Sequence, residues 1–182
     1  QSIGGYHAAK MGRYKELFDY QVARNNIEVL HMLNAKYLIV LDDKGNPQLQ
    51  LNDKANGNAW FVQNLKQVTS ANDEMKSLDS IQSKSEAVID ISKIETKLPN
   101  SFAADSTATI QLVKNNLTEL TYLSKSDTDQ FAVFSEIFYA DGWNPYLNGK
   151  SVPHFRVNYV LRGMQVPAGD NQIEFKFEPK VI

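Results

Sequence analysis

Phe131-Ala-Val-Phe-Ser-Glu-Ile-Phe-Tyr139 carries apolar side chains at odd and even positions alike. A strand with that pattern is buried on both faces, so it predicts the centre of a sheet. Turns and strands follow in quick succession. Asn148-Gly149 is a two-residue hairpin turn, because both residue types tolerate positive φ. Pro167-Ala-Gly-Asp170 joins two further strands. In the last of them Ile173, Phe175 and Phe177 face one way while Gln172, Glu174 and Lys176 face the other, the alternation of a half-buried strand.

Working back from this stretch, the chain predicts strands from Thr107 onward, with Ile110 and Leu112 before an Asn115-Asn116 turn and Leu120 and Tyr122 after it. Lys97 to Asp105, with Pro99, is loop-like and predicts a seam between residues 1–100, a helical lead-in plus a mixed segment, and residues 101–182, an all-β portion of one compact unit. In the first part Tyr14, Leu17, Phe18 and Val22 recur at helical spacing. Gly4-Gly5 marks a lead-in before them. Asn25-Asn-Ile-Glu28 has the form of a capping box with Asn25 at the cap, opening a short helix with Ile27, Leu30 and Leu33 on one face. Tyr37-Leu-Ile-Val-Leu41 predicts a strand buried on both faces, ended by the turn chemistry of Asp42 to Pro47. Gln48 to Leu51 and Ala59 to Val62 predict strands, the second able to run on to Val68. Ser70 or Asn72 caps a helix reaching Leu78, and Ala87 to Ile91 predicts another strand. The expected fold is α+β: a predominantly antiparallel, jelly-roll-like β-sandwich with N-terminal helices and one further short helix.

Composition narrows the function. Of 182 residues 42% are hydrophobic, enough for a core, and the formal net charge is -2. No basic stripe appears, which argues against nucleic acid as a partner. Cysteine is absent, so thiol nucleophiles, dithiol redox chemistry and thiolate metal sites are excluded. No apolar run approaches the roughly 20 residues that cross a bilayer. The chain begins at Gln1 and stops at Ile182 just past a strand, which predicts a piece of a longer protein.

His7, His31 and His154 are far apart and form no metal-binding pair. Neither Gly45 nor Gly57 can serve as the glycine of an EF-hand loop, because Lys44 or Lys54 would fall at a ligand position. Phosphate-cradling glycine motifs and a nucleophile elbow are missing. The sequence therefore predicts no metal, no cofactor and no catalytic residue. Glu136 shares a strand face with Phe134 and Phe138, where a carboxylate must be paired or hold its proton. Arg162 is its natural partner and Arg156 the second choice. A buried ion pair fixing strand register is the favoured role, against a general acid or an acceptor for sugar hydroxyls. Trp143 and Tyr146 gather around a turn, with Asn148 beside them, where aromatic rings can stack on a glycan; the favoured role for Trp143 is to plug the end of the sandwich.

Ser135-Glu-Ile-Phe-Tyr139, Gly142-Trp143, Asn148-Gly149-Lys150, Asn158-Tyr-Val-Leu-Arg-Gly163, Val166-Pro-Ala-Gly169 and Ile173-Glu-Phe-Lys-Phe177 resemble, in order and spacing, the C-terminal signature of the YfhO family of bacterial membrane proteins. Gly4-Gly-Tyr-His7, Arg13-Tyr14 and Met32-Leu-Asn-Ala-Lys-Tyr37 are similar as well. Ala140-Asp141 departs from the proline expected before Gly142. The resemblance implies a multi-spanning parent similar to membrane glycosyltransferases that take sugars from polyprenyl-phosphate donors. Its catalytic acid is expected in loops between early membrane helices, outside this chain. The chain itself is then expected to be an extracytoplasmic accessory domain that binds or orients a cell-envelope glycan. Its partners would be the transmembrane portion of its own parent and that glycan. A stand-alone carbohydrate hydrolase and a protein-interaction module without sugar binding remain as alternatives.

Overall fold

A computed structural model describes residues 12–179. Gly4, Gly5 and His7, and with them the first piece of the family resemblance, lie outside the described residues. Among the described residues three α-helices, α1 (Gly12–Tyr20), α2 (Ile27–Met32) and α3 (Ala71–Ser77), accompany thirteen strands. In chain order these are β1 (Tyr37–Leu41), β2 (Pro47–Leu51), β3 (Ala59–Val62), β4 (Asn64–Val68), β5 (Glu86–Asp90), β6 (Thr109–Asn115) and β7 (Glu119–Ser126). β8 (Gln130–Ile137), β9 (Trp143–Leu147), β10 (Lys150–Ser151), β11 (Phe155–Val157), β12 (Leu161–Val166) and β13 (Gly169–Phe177) complete the set.

The fold is α+β and sandwich-like, as expected. A five-stranded sheet, β10-β9-β13-β7-β6, packs on a four-stranded sheet, β11-β12-β8-β3, and all neighbours in both are antiparallel. The four-stranded sheet is the middle layer of the molecule. Phe134, Ala132, Met164 and Val166 face the five-stranded sheet, meeting Leu120, Tyr122, Ile173 and Phe175. Trp60, Val62, Phe131, Val133 and Leu161 face the other way, onto Leu17, Val29, Met32, Leu78 and the β5 residues Ala87, Val88 and Ile89. Burial on both faces is the physical reason that β8 reads as an unbroken apolar run. β3, from the first half of the chain, pairs with β8 from the second, so the segments on either side of residues 97–105 share one core. Glycine also has a packing role here: a Cβ on Gly163 would sit 2.7 Å from the Phe131 ring and 3.0 Å from Val157.

β4, α3 and β5 form a parallel crossover unit. Ser70 caps α3, its hydroxyl accepting from the Asp73 amide. The stretch from Ala59 does not continue to Val68 as one strand. It breaks at Gln63, where β3 leaves the sandwich sheet and β4 enters the parallel pair.

Two local expectations are corrected. The cap of α2 is Asn26, whose carboxamide oxygen accepts from the amides of Glu28 and Val29, while Asn25 holds a left-handed φ of 60°. Asn26 wins because its amide nitrogen also donates to Leu78 O and Gln21 Oε1, tying the helix start to the α3 region. Glu28 does not turn back to the cap; it accepts from the amide and hydroxyl of Ser83. The buried face of α2 accordingly holds Val29, His31 and Met32, with Ile27 left 44% exposed. Among the described residues β1 pairs only with β2, and this hairpin is exposed rather than buried: Ile39 is 77% and Leu49 70% exposed. Asn158 and Tyr159 follow β11 directly. They form a buried turn between β11 and β12 with φ of 49° and 72°.

Candidate functional site

The predicted charge pair lies between the sheets. Arg162 on β12 is opposite Phe134 on β8, whereas its neighbour Leu161 is opposite Ile137, so β8 bulges at Ser135 and Glu136. The bulge is held by Ser135, whose hydroxyl lies 2.9 Å from Met32 O and 2.7 Å from Gly57 O. It brings the Glu136 carboxyl toward the Arg162 guanidinium. Burial raises the pKa of Glu136, and the charge of Arg162 opposes the rise. Burial likewise lowers that of Arg162 to about 10, with Glu136 holding it up. The two charges act on each other without a contact pair within 4.0 Å among the described residues. Arg162 instead donates from Nε to Ile137 O and is flanked by the rings of Trp143 at 4.6 Å and Phe175 at 5.0 Å. Cation–π contact of this kind is strongest where water is excluded.

The three residues proposed for glycan contact do not share a surface. Trp143 is opposite Phe177 on β13 and faces inward, its ring 5.4 Å from that of Phe177. Tyr146, opposite Glu174, faces outward; its hydroxyl donates to Glu178, and Lys176 lies 5.0 Å from its ring. Asn148 occupies the turn with φ of 49°, and its side chain is spent on Asn171 and the Gln172 amide. Period-two alternation along β9 separates Trp143 from Tyr146.

His154 packs between the rings of Phe138 at 4.8 Å and Phe175 at 5.8 Å. Burial and the nearby Arg162 push its pKa down to about 4. The folded protein therefore keeps the ring neutral, while the unfolded chain takes up a proton near the ordinary 6.5. Stability contributed by the neutral ring is present above pH 6.5 and is lost as pH falls toward 4. The shift corresponds to on the order of 3 kcal/mol. Denaturant titrations at pH 7 and pH 4 should show the natural chain losing about that much more stability than His154→Phe, in which other titrating groups cancel.

A cleft that the sequence did not announce lies at the carboxyl ends of the parallel strands β4 and β5. Crevices in that position are where open sheets with parallel strands receive ligands. It has a volume of about 750 Å³, and Arg13, Asp90, Phe138 and Arg156 are among its lining residues, with the hydroxyls of Ser70, Ser92 and Thr96. Four elements meet there: α1 supplies Arg13, the end of β5 Asp90, the segment after β8 Phe138, and β11 Arg156.

The floor of this region is charged and well anchored. Glu74 on α3 is fully buried. It accepts from Arg13 at 3.0 Å and from the amide of Tyr159 at 3.0 Å, while Arg13 also stacks 4.5 Å from the Tyr159 ring. Burial raises the pKa of Glu74; the Tyr159 amide and Arg13 pull against it. Burial also opposes ionisation of Asp90, but hydrogen bonds from Ser92 and the charges of Arg13 and Arg156 hold its carboxyl below the usual range. The Tyr159 hydroxyl donates to Glu16. The Asn158–Tyr159 turn is fixed from below, since Asn158 donates its amide to Val88 O and accepts from Val88 N through Oδ1.

Arg156 is the exception to this saturation. Its guanidinium lies 5.8 Å from the Phe138 ring, and among the described residues it makes no side-chain hydrogen bond. Its pKa is lowered by burial and by Arg13, against the pull of Glu74 and Asp90. A half-buried cation stacked on an aromatic ring, with its fork of donors uncommitted, is a recognition group for planar or oxygen-rich ligands. In the sequence Arg156 stands out only as a second-choice partner for Glu136. The βαβ order of β4, α3 and β5 was the signal that could have pointed to the cleft. Glu74 was hidden because Asp73-Glu74 suits the start of any exposed helix.

A family model described as bacterial membrane protein YfhO matches residues 93–182. Over this span the chain belongs to the YfhO family. No curated protein and no solved structure matches it. Within this YfhO-family chain the matched span takes in β6 to β13, together with Phe138, His154 and Arg156 of the cleft. Arg13 and the β4-α3-β5 unit precede it. No helix among the described residues is long and apolar enough to cross a membrane.

Proposed function

We propose that this chain is an extracytoplasmic accessory domain of a multi-spanning, glycosyltransferase-like membrane protein, and that it binds or orients a cell-envelope glycan in the cleft at the carboxyl ends of β4 and β5. The transmembrane portion of the parent is its natural partner, and no catalytic role falls to the described residues. The observation that carries the reading is Arg156: a half-buried guanidinium, set against Phe138, that no described acceptor engages. Around it stand the groups that sugars use, namely a carboxylate held ionised at Asp90, hydroxyls, and an aromatic ring. Family membership supports the membrane context. Glu136 and Arg162 are assigned a structural role, and the inward-facing Trp143 with them. Tyr146 and Asn148 lie outside the cleft.

Calorimetric titration with oligosaccharides released from bacterial envelopes tests this directly. The natural chain should bind a subset, and Arg156→Gln should weaken binding about tenfold, the effect of losing roughly 1.4 kcal/mol of charge-assisted hydrogen bonding. Equal binding by the variant contradicts the cleft assignment. Turnover of the oligosaccharide would instead mark a hydrolase.

A further inference from the structure

The β1–β2 hairpin bares more apolar surface than suits a domain standing alone. Its pairing sets Tyr37 against Leu51, Ile39 against Leu49 and Leu41 against Pro47, so these six side chains share one face. The other face carries Leu38, Val40, Gln48 and Gln50. The wholly apolar face is open to solvent throughout, with Tyr37 63%, Ile39 77%, Leu41 70%, Leu49 70% and Leu51 63% exposed, and on the other face only Leu38 is half-buried. Contiguous exposed apolar surface of this kind marks an interaction site.

We propose that this face seats the hairpin flat on the lipid bilayer, at the boundary between headgroups and acyl chains. Membership in a membrane-protein family puts a bilayer beside the chain. The charge pattern favours uncharged lipid surface as the occupant. From Lys36 to Leu51 the charges are Lys36 and Lys44 against Asp42 and Asp43, which cancel. The tip cannot plunge into hydrocarbon, because Asp42 stays ionised by accepting from the amides of Asn46 and Lys44. Strands of this length reach about 17 Å, too short to cross a core of about 30 Å. Lying flat leaves both backbone edges within reach of interfacial water, as lipid contact requires. Tyr37 beside Lys36 at the base is the pairing found where side chains meet headgroups. The inference stands on family membership and hairpin geometry and is independent of glycan binding; no sugar enters its test.

Because the chain has no cysteine, Leu49→Cys and Gln50→Cys can each carry one environment-sensitive fluorophore in the full 182-residue chain. On phosphatidylcholine vesicles the probe at 49 should shift to the blue and be quenched by nitroxide-bearing lipid, and the probe at 50 should respond far less. Binding should be unchanged by phosphatidylglycerol or by 1 M salt, where charge attraction is screened within about 3 Å. Ile39→Asp with Leu49→Asp should lower vesicle partitioning at least tenfold, as should the independent pair Leu41→Asp with Leu51→Asp, with each unlabelled variant checked by its thermal melt. Absence of binding overturns the proposal. So does binding that salt abolishes, binding that both pairs retain, or a lipid-independent dimer in sedimentation equilibrium that the aspartate pairs dissociate; the last result would assign the face to a second copy.

Discussion

Arg162→Ala should be the most damaging single substitution in the sandwich, lowering the free energy of unfolding by about 4 kcal/mol. Two losses combine. The side chain is 2% exposed and fills space between Trp143 and Phe175, so truncation leaves a cavity at the sheet interface. It also strips Glu136 of the charge that offsets its burial. Arg162→Met separates these contributions by keeping most of the volume. It should cost less, and part of that cost should vanish when Glu136→Gln is added, since the glutamine needs no counter-charge. Denaturant unfolding of the four members of that cycle measures the coupling. Additive losses would mean that the two groups do not stabilise each other.

Glu74→Ala should cost about 3 kcal/mol. Its carboxylate satisfies the buried amide of Tyr159, a residue whose φ of 72° is uncommon for an aromatic side chain. Removing it leaves that amide unpaired and releases Arg13 from its anchor. Arg13 retains access to water, which keeps the loss below that of a wholly buried pair. Glu74→Gln should recover part of the stability, because its side-chain oxygen still accepts from the amide. Stability of Glu74→Ala within about 0.5 kcal/mol of the natural chain would mean that the turn is held by Asn158 and packing alone.

Much of the sandwich was legible in the sequence because its strands obey simple periodicities. β8 shows the unbroken pattern of a strand buried on both faces, β13 the alternation of one buried on a single face, and Asn148-Gly149 the hairpin between β9 and β10. The misreadings have a common cause. Tyr37 to Leu41 has the composition of a core strand, but burial depends on what packs against a strand, and nothing local tells a core face from a docking face. The Asn158-Tyr159 turn went unannounced because the partners that hold it, Val88 and Glu74, are distant in sequence. The cleft was opaque for the same reason. Arg13, Asp90, Phe138 and Arg156 are far apart in sequence and meet only when the crossover unit and β11 come together. Glu136 and Arg162 could be linked beforehand, since both interrupt apolar strands. The bulge that brings them near each other without a contact pair could not.

The cleft beside Arg156 is the proposed seat of the glycan. Amide chemical-shift mapping during titration with the tightest-binding envelope oligosaccharide tests it most directly. The account predicts that the largest perturbations fall on Asp90 to Thr96, Phe138 and His154 to Arg156, and that they disappear in Arg156→Gln. Perturbations centred on Tyr146 and Asn148, with the cleft unchanged, would contradict it.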